Sequence, residues 1–185
     1  MAITSRKLTY DDLDTIPQER EGDRHELIDG ELVVTPSPIP RHQIVLTNLV
    51  YRLESHNDAE DLGVLLPAAT DIRLAPGTVL IPDLCFILKH RLYVIGPKAV
   101  LGPPDLVVEI LSPGTRRRDL TVKRALYAEF GVPEYWVVDP EERTVTVLAL
   151  TGDRFESVPI GEDGMIRSRV LPGLTVGLPA VFKGL

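Results

Sequence analysis

The sequence predicts a mixed α/β (α+β) domain that carries a β-hairpin near each end. Short apolar segments with strand periodicity alternate with helical segments along the chain. Asp29-Gly30 and the turn formers at 139–142 each separate two such strand segments, as hairpin turns do. The contents of 44% hydrophobic and 25% charged residues are ordinary for a folded protein, and 185 residues fit a single domain over 1–185.

The first third of the chain is predicted to contain two helices and a hairpin. Thr9 with Asp12 is typical of a helix start, and Pro17 limits that helix to a few residues. RHELIDGELVVT predicts a hairpin over residues 24–35, because Asp and Gly tolerate the positive φ of a tight turn. The proline-broken loop PSPIPRHQ then leads into a helix over about 41–56, which has an apolar residue at every fourth position.

The rest of the chain is predicted to supply the central strands and their cover. GVLLPA, TDIRLA and TVLIPDLCFIL are strand-like, and the last is apolar nearly throughout, as expected of a central strand covered on both faces. PDLVVEIL is the next strand, followed by the loop SPGTRRR and a helix over about 119–130 that stops at Gly131. EYWVVD and RTVTVLAL form the second hairpin, and a tail with a short helix near 179–182 covers the sheet.

Charge and hydropathy exclude several classes of protein. A net charge of -7 argues against a broad basic surface for nucleic acid, although it leaves room for a local site, and Arg116, Arg117 and Arg118 form the dense basic cluster. No apolar run approaches the roughly 20 residues that span a bilayer, and the first residues lack a signal-peptide pattern. We therefore expect a cytoplasmic protein without membrane contact.

Cys85 is a single cysteine in an apolar run, which favours a small buried hydrophobe over a nucleophile.

Two acidic residues interrupt the most apolar strands. Glu109 shares a strand face with Val107 and Leu111, because alternate side chains of a strand point the same way. Asp83 likewise places a carboxylate among apolar residues, inside TVLIPDLCFIL. A buried, ionised carboxylate needs a cation, a salt bridge or a ligand nearby. Two readings remain open: the acids share a divalent metal such as Mg²⁺ or Mn²⁺, or Glu109 pairs with an arginine and Asp83 is a strand-end residue.

Lys123 lies in the helix that follows the Glu109 strand. Its spacing from Asp119 and Tyr127 places all three side chains on one helix face. A helix returning across the sheet would aim the ammonium group at the acids, where it could orient a metal-bound water. The alternative is an exposed lysine paired with Asp119.

Together these residues resemble the PD-(D/E)XK phosphodiesterase superfamily, in which Pro82-Asp83, the strand Glu109 and a lysine form the motif. More narrowly, HELIDGELV, PSPIPRHQ, IPDLCFI, PPDLVVEILSPGTRRRD and GVPEYWVVDP resemble a bacterial family of restriction endonuclease-like proteins, formerly a domain of unknown function. The resemblance runs from about Arg24 to the C-terminus. It implies a restriction-endonuclease-like mixed β-sheet core flanked by helices, Mg²⁺ (or Mn²⁺) held by Asp83, Glu109 and the backbone carbonyl of Ile110, and hydrolysis of a nucleic-acid phosphodiester.

The sequence departs from the superfamily pattern at one position. The pattern expects lysine two residues after the glutamate, where this chain has Leu111, so the lysine role moves to Lys123. Glu26 matches the acid in the family's first hairpin, and it either holds a second metal or water or forms a hairpin salt bridge.

The remaining candidates concern the substrate. Arg116, Arg117, Arg118 and Ser112 are candidate nucleic-acid-binding residues, with a solvated loop as the alternative for the arginines and a turn role for Ser112. His42 could reach the site from the start of its helix, although a histidine that caps or contacts backbone is the favoured interpretation, and Tyr135 and Trp136 fit a buried strand. The favoured function is a Mg²⁺-dependent endonuclease acting on DNA, as a homodimer by analogy. The alternatives are a catalytically inactive nucleic-acid-binding or scaffold domain and a hydrolase of another phosphate ester.

Overall fold

A computed structural model describes residues 6–17, 20 and 22–185 of the chain. The fold is mixed α+β, as predicted. Its helices and strands are, in chain order, α1 (Tyr10–Leu13), β1 (Arg24–Ile28), β2 (Glu31–Thr35), α2 (Pro40–Glu60), β3 (Gly63–Pro67), β4 (Ile72–Ala75), β5 (Thr78–Leu80), β6 (Leu84–Leu88), a 3-10 helix (Lys89–Val94), β7 (Val100–Leu101), β8 (Leu106–Ile110), α3 (Arg116–Arg118), a π-helical turn (Asp119–Lys123), α4 (Arg124–Glu129), β9 (Glu134–Asp139), β10 (Thr144–Thr151), β11 (Arg154–Val158), β12 (Met165–Arg167), β13 (Thr175–Gly177) and α5 (Leu178–Val181).

The strands form two larger sheets and one small one. The first sheet has the order β2-β1-β5-β4-β7, the second has the order β11-β10-β9-β8-β6-β3, and β12 pairs with β13. Most neighbours are antiparallel, but β4 and β7 are parallel, and so are β8 and β9. The second of these pairs carries the site. The segment that joins these two strands contains α3, the π-helical turn and α4, because a parallel pair needs a crossover connection.

Both predicted hairpins are confirmed. β1 pairs with β2 in antiparallel register, and Asp29 and Gly30 have φ of 50° and 75°, the left-handed values that a two-residue turn requires. β9 and β10 pair in the same way around residues 139–144. The first hairpin matters for the site because β1 carries Arg24 and Glu26.

The prediction of one continuous strand over TVLIPDLCFIL is wrong. Residues 78–80 belong to the first sheet as β5, whereas residues 84–88 belong to the second as β6. Pro82 lies between them and has no N–H to donate to a strand ladder, so the chain leaves one sheet there and enters the other. Asp83 therefore lies at a crossover between the sheets instead of inside a strand.

Two helix boundaries also differ from prediction. α2 runs from Pro40 to Glu60 and is longer than the pattern of apolar residues indicated. Helical structure after β8 begins at Arg116, so the three arginines that were expected in a loop occupy the first helical turn. The π-helical turn follows without a break and continues into α4, and it buries Asp119 and Lys123.

The second sheet is packed on both faces, as the apolar run that contains β6 predicted. Leu106, Val108 and Ile110 contact a core cluster that includes Val45 and Leu49 of α2. The opposite face of the sheet packs in a second core cluster, to which Tyr127 of α4 also belongs. Its members on the sheet side include Cys85, Val107 and Leu111. Cys85 is fully buried, which raises the pKa of its thiol to about 12. Among the described residues, no helix has the length and apolar character to cross a membrane.

Candidate active site at the crossover between the sheets

The acids from the two strands meet at one cavity. β6 and β8 are antiparallel neighbours in which Leu84 faces Val108, so Asp83 is placed opposite Glu109 as the register continues. Both residues line a cavity of about 330 Å³, together with Glu26 of β1, Ile110 of β8 and Lys123 of the π-helical turn. The structure thus brings together all the residues predicted for catalysis and metal binding.

Asp83 is buried and accepts three hydrogen bonds. Its Oδ1 accepts one from Nη1 of Arg24 at 2.8 Å, and its Oδ2 accepts one from the Ile110 backbone N–H at 2.8 Å. Nε2 of His42 donates to the same Oδ2 at 3.0 Å. Burial acts to raise the pKa of Asp83, but the hydrogen bond and charge of His42, with the charge of Arg24, outweigh it and hold that pKa below its ordinary value. The Asp83 carboxyl group is therefore ionised at neutral pH.

Glu109 is held by two donors from the helical segment. Nζ of Lys123 lies 2.9 Å from its Oε1, and the hydroxyl of Tyr127 donates to the same oxygen at 2.7 Å. Burial raises the pKa of Glu109 to about 8 in spite of the Lys123 charge, and the charges of Asp119 and Asp83 add to the rise. Both donors use Oε1, so the carboxyl group has capacity for a further ligand at Oε2.

Lys123 connects three acids in the interior. Its Nζ is 2.8 Å from Glu26, 2.9 Å from Glu109 and 3.9 Å from Asp119, and only 3% of the residue is exposed. The alternative of an exposed lysine paired with Asp119 is therefore wrong. Burial alone would lower the pKa of Lys123, but Glu109 and Glu26 outweigh it and raise that pKa above its ordinary value. The ammonium group is a hydrogen-bond donor at neutral pH.

Glu26 anchors the first hairpin to this network. Its Oε1 contacts Lys123 and also accepts a hydrogen bond from the Ile81 backbone N–H at 2.9 Å. Its Oε2 lies 3.5 Å from Nη2 of Arg118. Its salt bridges thus reach across the cavity to the helical segment instead of staying within the hairpin.

The predicted nucleic-acid-binding residues point in different directions. Arg118 lines the cavity and donates to Oγ1 of Thr35, whereas Arg116 forms an ion pair with Asp139 beside a neighbouring cavity. Arg117 is exposed and lines neither cavity. Ser112 borders both cavities and its Oγ lies 3.0 Å from Oγ1 of Thr115, which fits the expected turn role. The divergence follows from the helix, because successive residues are separated by about 100° around its axis.

The cavity concentrates polar atoms that lack partners. Among the described residues, five buried side-chain nitrogen or oxygen atoms have no hydrogen-bond partner. Four of the five belong to residues that line this cavity: Arg24 Nε, His42 Nδ1, Arg118 Nε and Asp119 Oδ1. Buried polar groups are nearly always satisfied in folded proteins, so this concentration is typical of a site that takes a polar ligand.

Sequence reasoning missed Arg24, and for His42 it favoured a backbone contact over the alternative that the structure shows, a place in the site. Both bind Asp83, although they lie 59 and 41 positions away along the chain. A signal for Arg24 was present, since it shares a strand face with Glu26 two residues later. Tyr135 and Trp136 are fully buried, as expected.

The donor set fits a hard divalent ion. In the described ranges no three His, Cys, Asp or Glu side chains are arranged as a metal site. Mg²⁺ nevertheless needs only one or two carboxylates besides waters, and Asp83 and Glu109 supply these next to the backbone of Ile110. A divalent ion would also relieve the repulsion between the two acids. Without such an ion, the charge of Asp83 is neutralised by its ion pair with Arg24.

Comparison with known proteins identifies the fold class and then the family. The structure is similar to the crystal structure of a protein from Anabaena variabilis described as "a putative nuclease belonging to DUF820", with a TM-score of 0.77 and 20% sequence identity over 95% of this chain and 97% of that chain. The fold is thus a nuclease-like fold, as the restriction-endonuclease-like prediction stated. Residues 9–180 match the Uma2 family, described as "putative restriction endonuclease", and the chain belongs to this family. No curated protein matches the sequence.

Proposed function

We propose that this protein is a metal-dependent endonuclease that hydrolyses phosphodiester bonds of nucleic acid, with DNA as its substrate. The observation that carries the proposal is the convergence of Asp83, Glu109 and Lys123 on one cavity, from three elements that are distant along the chain. Membership of the Uma2 family supports the same class of reaction.

In this proposal Asp83, Glu109 and the carbonyl of Ile110 hold Mg²⁺ or Mn²⁺. The bound ion supplies Lewis acidity at the scissile phosphate and lowers the pKa of water. His42 and the Ile110 N–H fix the orientation of the Asp83 carboxylate, and Tyr127 does the same for Glu109. Lys123 orients the attacking water and stabilises negative charge as a hydrogen-bond donor, because its raised pKa keeps it protonated. Glu26 keeps Lys123 in place.

Substrate binding is proposed to be local instead of spread over the surface. Arg118 and Ser112 border the cavity, and Arg117 is exposed next to Arg118 in the sequence; these positions support the proposal that the three residues contact the phosphate backbone. Arg116 joins them if it leaves Asp139. Cleavage of both strands of a duplex needs two sites, and a symmetric homodimer is part of the proposal for that reason.

Cleavage assays with and without metal test this function. Purified protein should cut plasmid or linear DNA in Mg²⁺ or Mn²⁺ and stop on addition of EDTA, because the acids alone supply no electrophile. Parallel reactions with RNA and with small phosphodiesters define the substrate. Binding of DNA without cleavage in either metal would instead favour the inactive nucleic-acid-binding domain.

Metal affinity is expected to depend on pH through Glu109. Its pKa of about 8 means that a proton occupies the carboxyl group below that value and competes with the ion. The Mn²⁺ affinity measured by isothermal titration calorimetry should rise by up to about tenfold per pH unit as the pH approaches 8 from below, and then level off. Glu109→Gln should remove this slope. A wild-type affinity that stays constant between about pH 6 and pH 8 would contradict the assignment.

A further inference from the structure

Two arginines of the cavity each keep one buried N–H without an acceptor. Nη1 of Arg24 donates to Asp83 and Nη2 of Arg118 donates to Thr35, so one end of each guanidinium group is anchored. The Nε atom of each arginine is buried and has no hydrogen-bond partner. The anchored ends fix the orientation of the two groups and leave the Nε–H donors for something else.

This arrangement is not the general state of half-buried arginines in the protein. Arg91 has a side chain 21% exposed, close to the 20% of Arg118. Its donors are used by Oδ1 of Asp105 at 2.7 Å and by the Pro103 carbonyl at 2.8 Å, and none of its buried atoms is left without a partner. The unpaired donors therefore belong to the cavity and not to arginine packing in general.

The charge of the cavity indicates what the two donors bind. Its lining includes three cationic side chains, Arg24, Arg118 and Lys123, and four acidic ones, Glu26, Asp83, Glu109 and Asp119. With every one of these groups ionised, as a bound divalent ion requires of Glu109, the side chains sum to -1 and the ion brings the lining to +1. That charge matches one phosphodiester group, and the guanidinium fork is suited to its oxygens.

We propose that Arg24 and Arg118 form a phosphate subsite in this cavity, in which their Nε–H groups bind oxygens of a nucleic-acid phosphodiester beside the metal position. The subsite rests on the proposed function for the identity of its ligand. It makes Arg24 a substrate-binding residue on the first hairpin, opposite the arginine contributed by the helical segment. It also couples substrate affinity to the divalent ion, because the ion adds the positive charge that attracts an anion to the lining.

The test is a binding measurement in which cleavage plays no part. Fluorescence anisotropy of a short labelled duplex is measured in Ca²⁺ with wild-type protein and the variants Arg24→Lys and Arg118→Lys. Lysine keeps the charge but lacks the fork, so each variant is expected to bind about tenfold more weakly. Arg154→Lys is the matched control, because Arg154 is 79% exposed on β11 and does not line the cavity. Wild-type affinity in both cavity variants would overturn the subsite.

A second measurement on unmodified protein guards against variants that fail to fold. The arginine Nε–H resonances are followed by NMR during titration with dimethyl phosphate, a minimal phosphodiester, in Ca²⁺. The resonances of Arg24 and Arg118 should shift while that of Arg154 stays fixed, and stationary Arg24 and Arg118 resonances would contradict the proposal.

The two measurements also separate this inference from the proposed function. Shifts induced by dimethyl phosphate in a protein that never cleaves DNA would retain the subsite and reject hydrolysis. Metal-dependent cleavage with unshifted resonances and normal affinity of the lysine variants would do the reverse.

Discussion

Asp83→Asn and Glu109→Gln are each expected to lower metal-dependent DNA cleavage by about a thousandfold or more. Each substitution removes one of the two carboxylates proposed to hold the ion, and a catalytic metal stabilises the transition state by several kcal/mol. Both amides are close in shape to the acids they replace, so the cavity is retained. The measurement is single-turnover cleavage of a labelled duplex in saturating Mg²⁺.

Asp105→Asn provides a matched control for these two variants. Asp105 is also buried, immediately precedes β8 and is paired with an arginine, Arg91, at 2.7 Å. It does not line the cavity. Its substitution should reduce stability without affecting the cleavage of the folded fraction. Cleavage by Asp83→Asn and Glu109→Gln at the parent rate would show that the reaction centre lies elsewhere.

Lys123→Met is expected to lower the free energy of unfolding by about 3 to 5 kcal/mol, the usual cost of removing one partner from a buried ion pair. The substitution keeps most of the side-chain volume but leaves Glu26 and Glu109 without their shared cation. Urea denaturation followed by circular dichroism measures the change. The loss should be smaller at acidic pH, because protonation of the uncompensated acids removes part of the penalty.

Lys98→Met is the control for that prediction. Nζ of Lys98 lies 2.7 Å from Asp14, as close as the contacts of Lys123, but the two side chains are 67% and 72% exposed. Water screens such a pair, so its loss should change stability little. Equal losses of unfolding free energy in the two variants would contradict the prediction that burial makes the ion pairs of Lys123 contribute more to stability than an exposed pair.

The parts of the fold that the sequence predicted are those with a local cause. Asp29-Gly30 determined its hairpin because few residue pairs accept positive φ at both turn positions. The alternation along β8 placed Glu109 on the face of Val107, and the spacing of Asp119, Lys123 and Tyr127 placed them on one side of the helix. These periodicities depend only on backbone geometry.

The missed parts depend on tertiary structure. The apolar run around Pro82 gives no local sign that its two halves enter different sheets. The contacts of Arg24 and His42 with Asp83 exist only after the hairpin, α2 and the crossover have packed together. For the same reason, spacing could place Lys123 on the helix face of Asp119 and Tyr127 but could not show that it bridges Glu26 and Glu109.

The π-helical turn limits how many residues the helical segment can contain more strictly than it limits which residues these are. Residues four apart in an α-helix drift by about 40° around the axis, so three such residues in succession would fan out over about 80°. The wider turn at Asp119–Lys123 takes back part of this drift between Asp119 and Lys123, while Lys123 and Tyr127, four residues apart, both reach Glu109. Leu120 and Val122 face solvent and tolerate exchange, yet deleting either one would rotate Asp119 away from the ammonium group. Natural variation in this segment should therefore consist of replacements, with insertions and deletions confined to the surrounding loops.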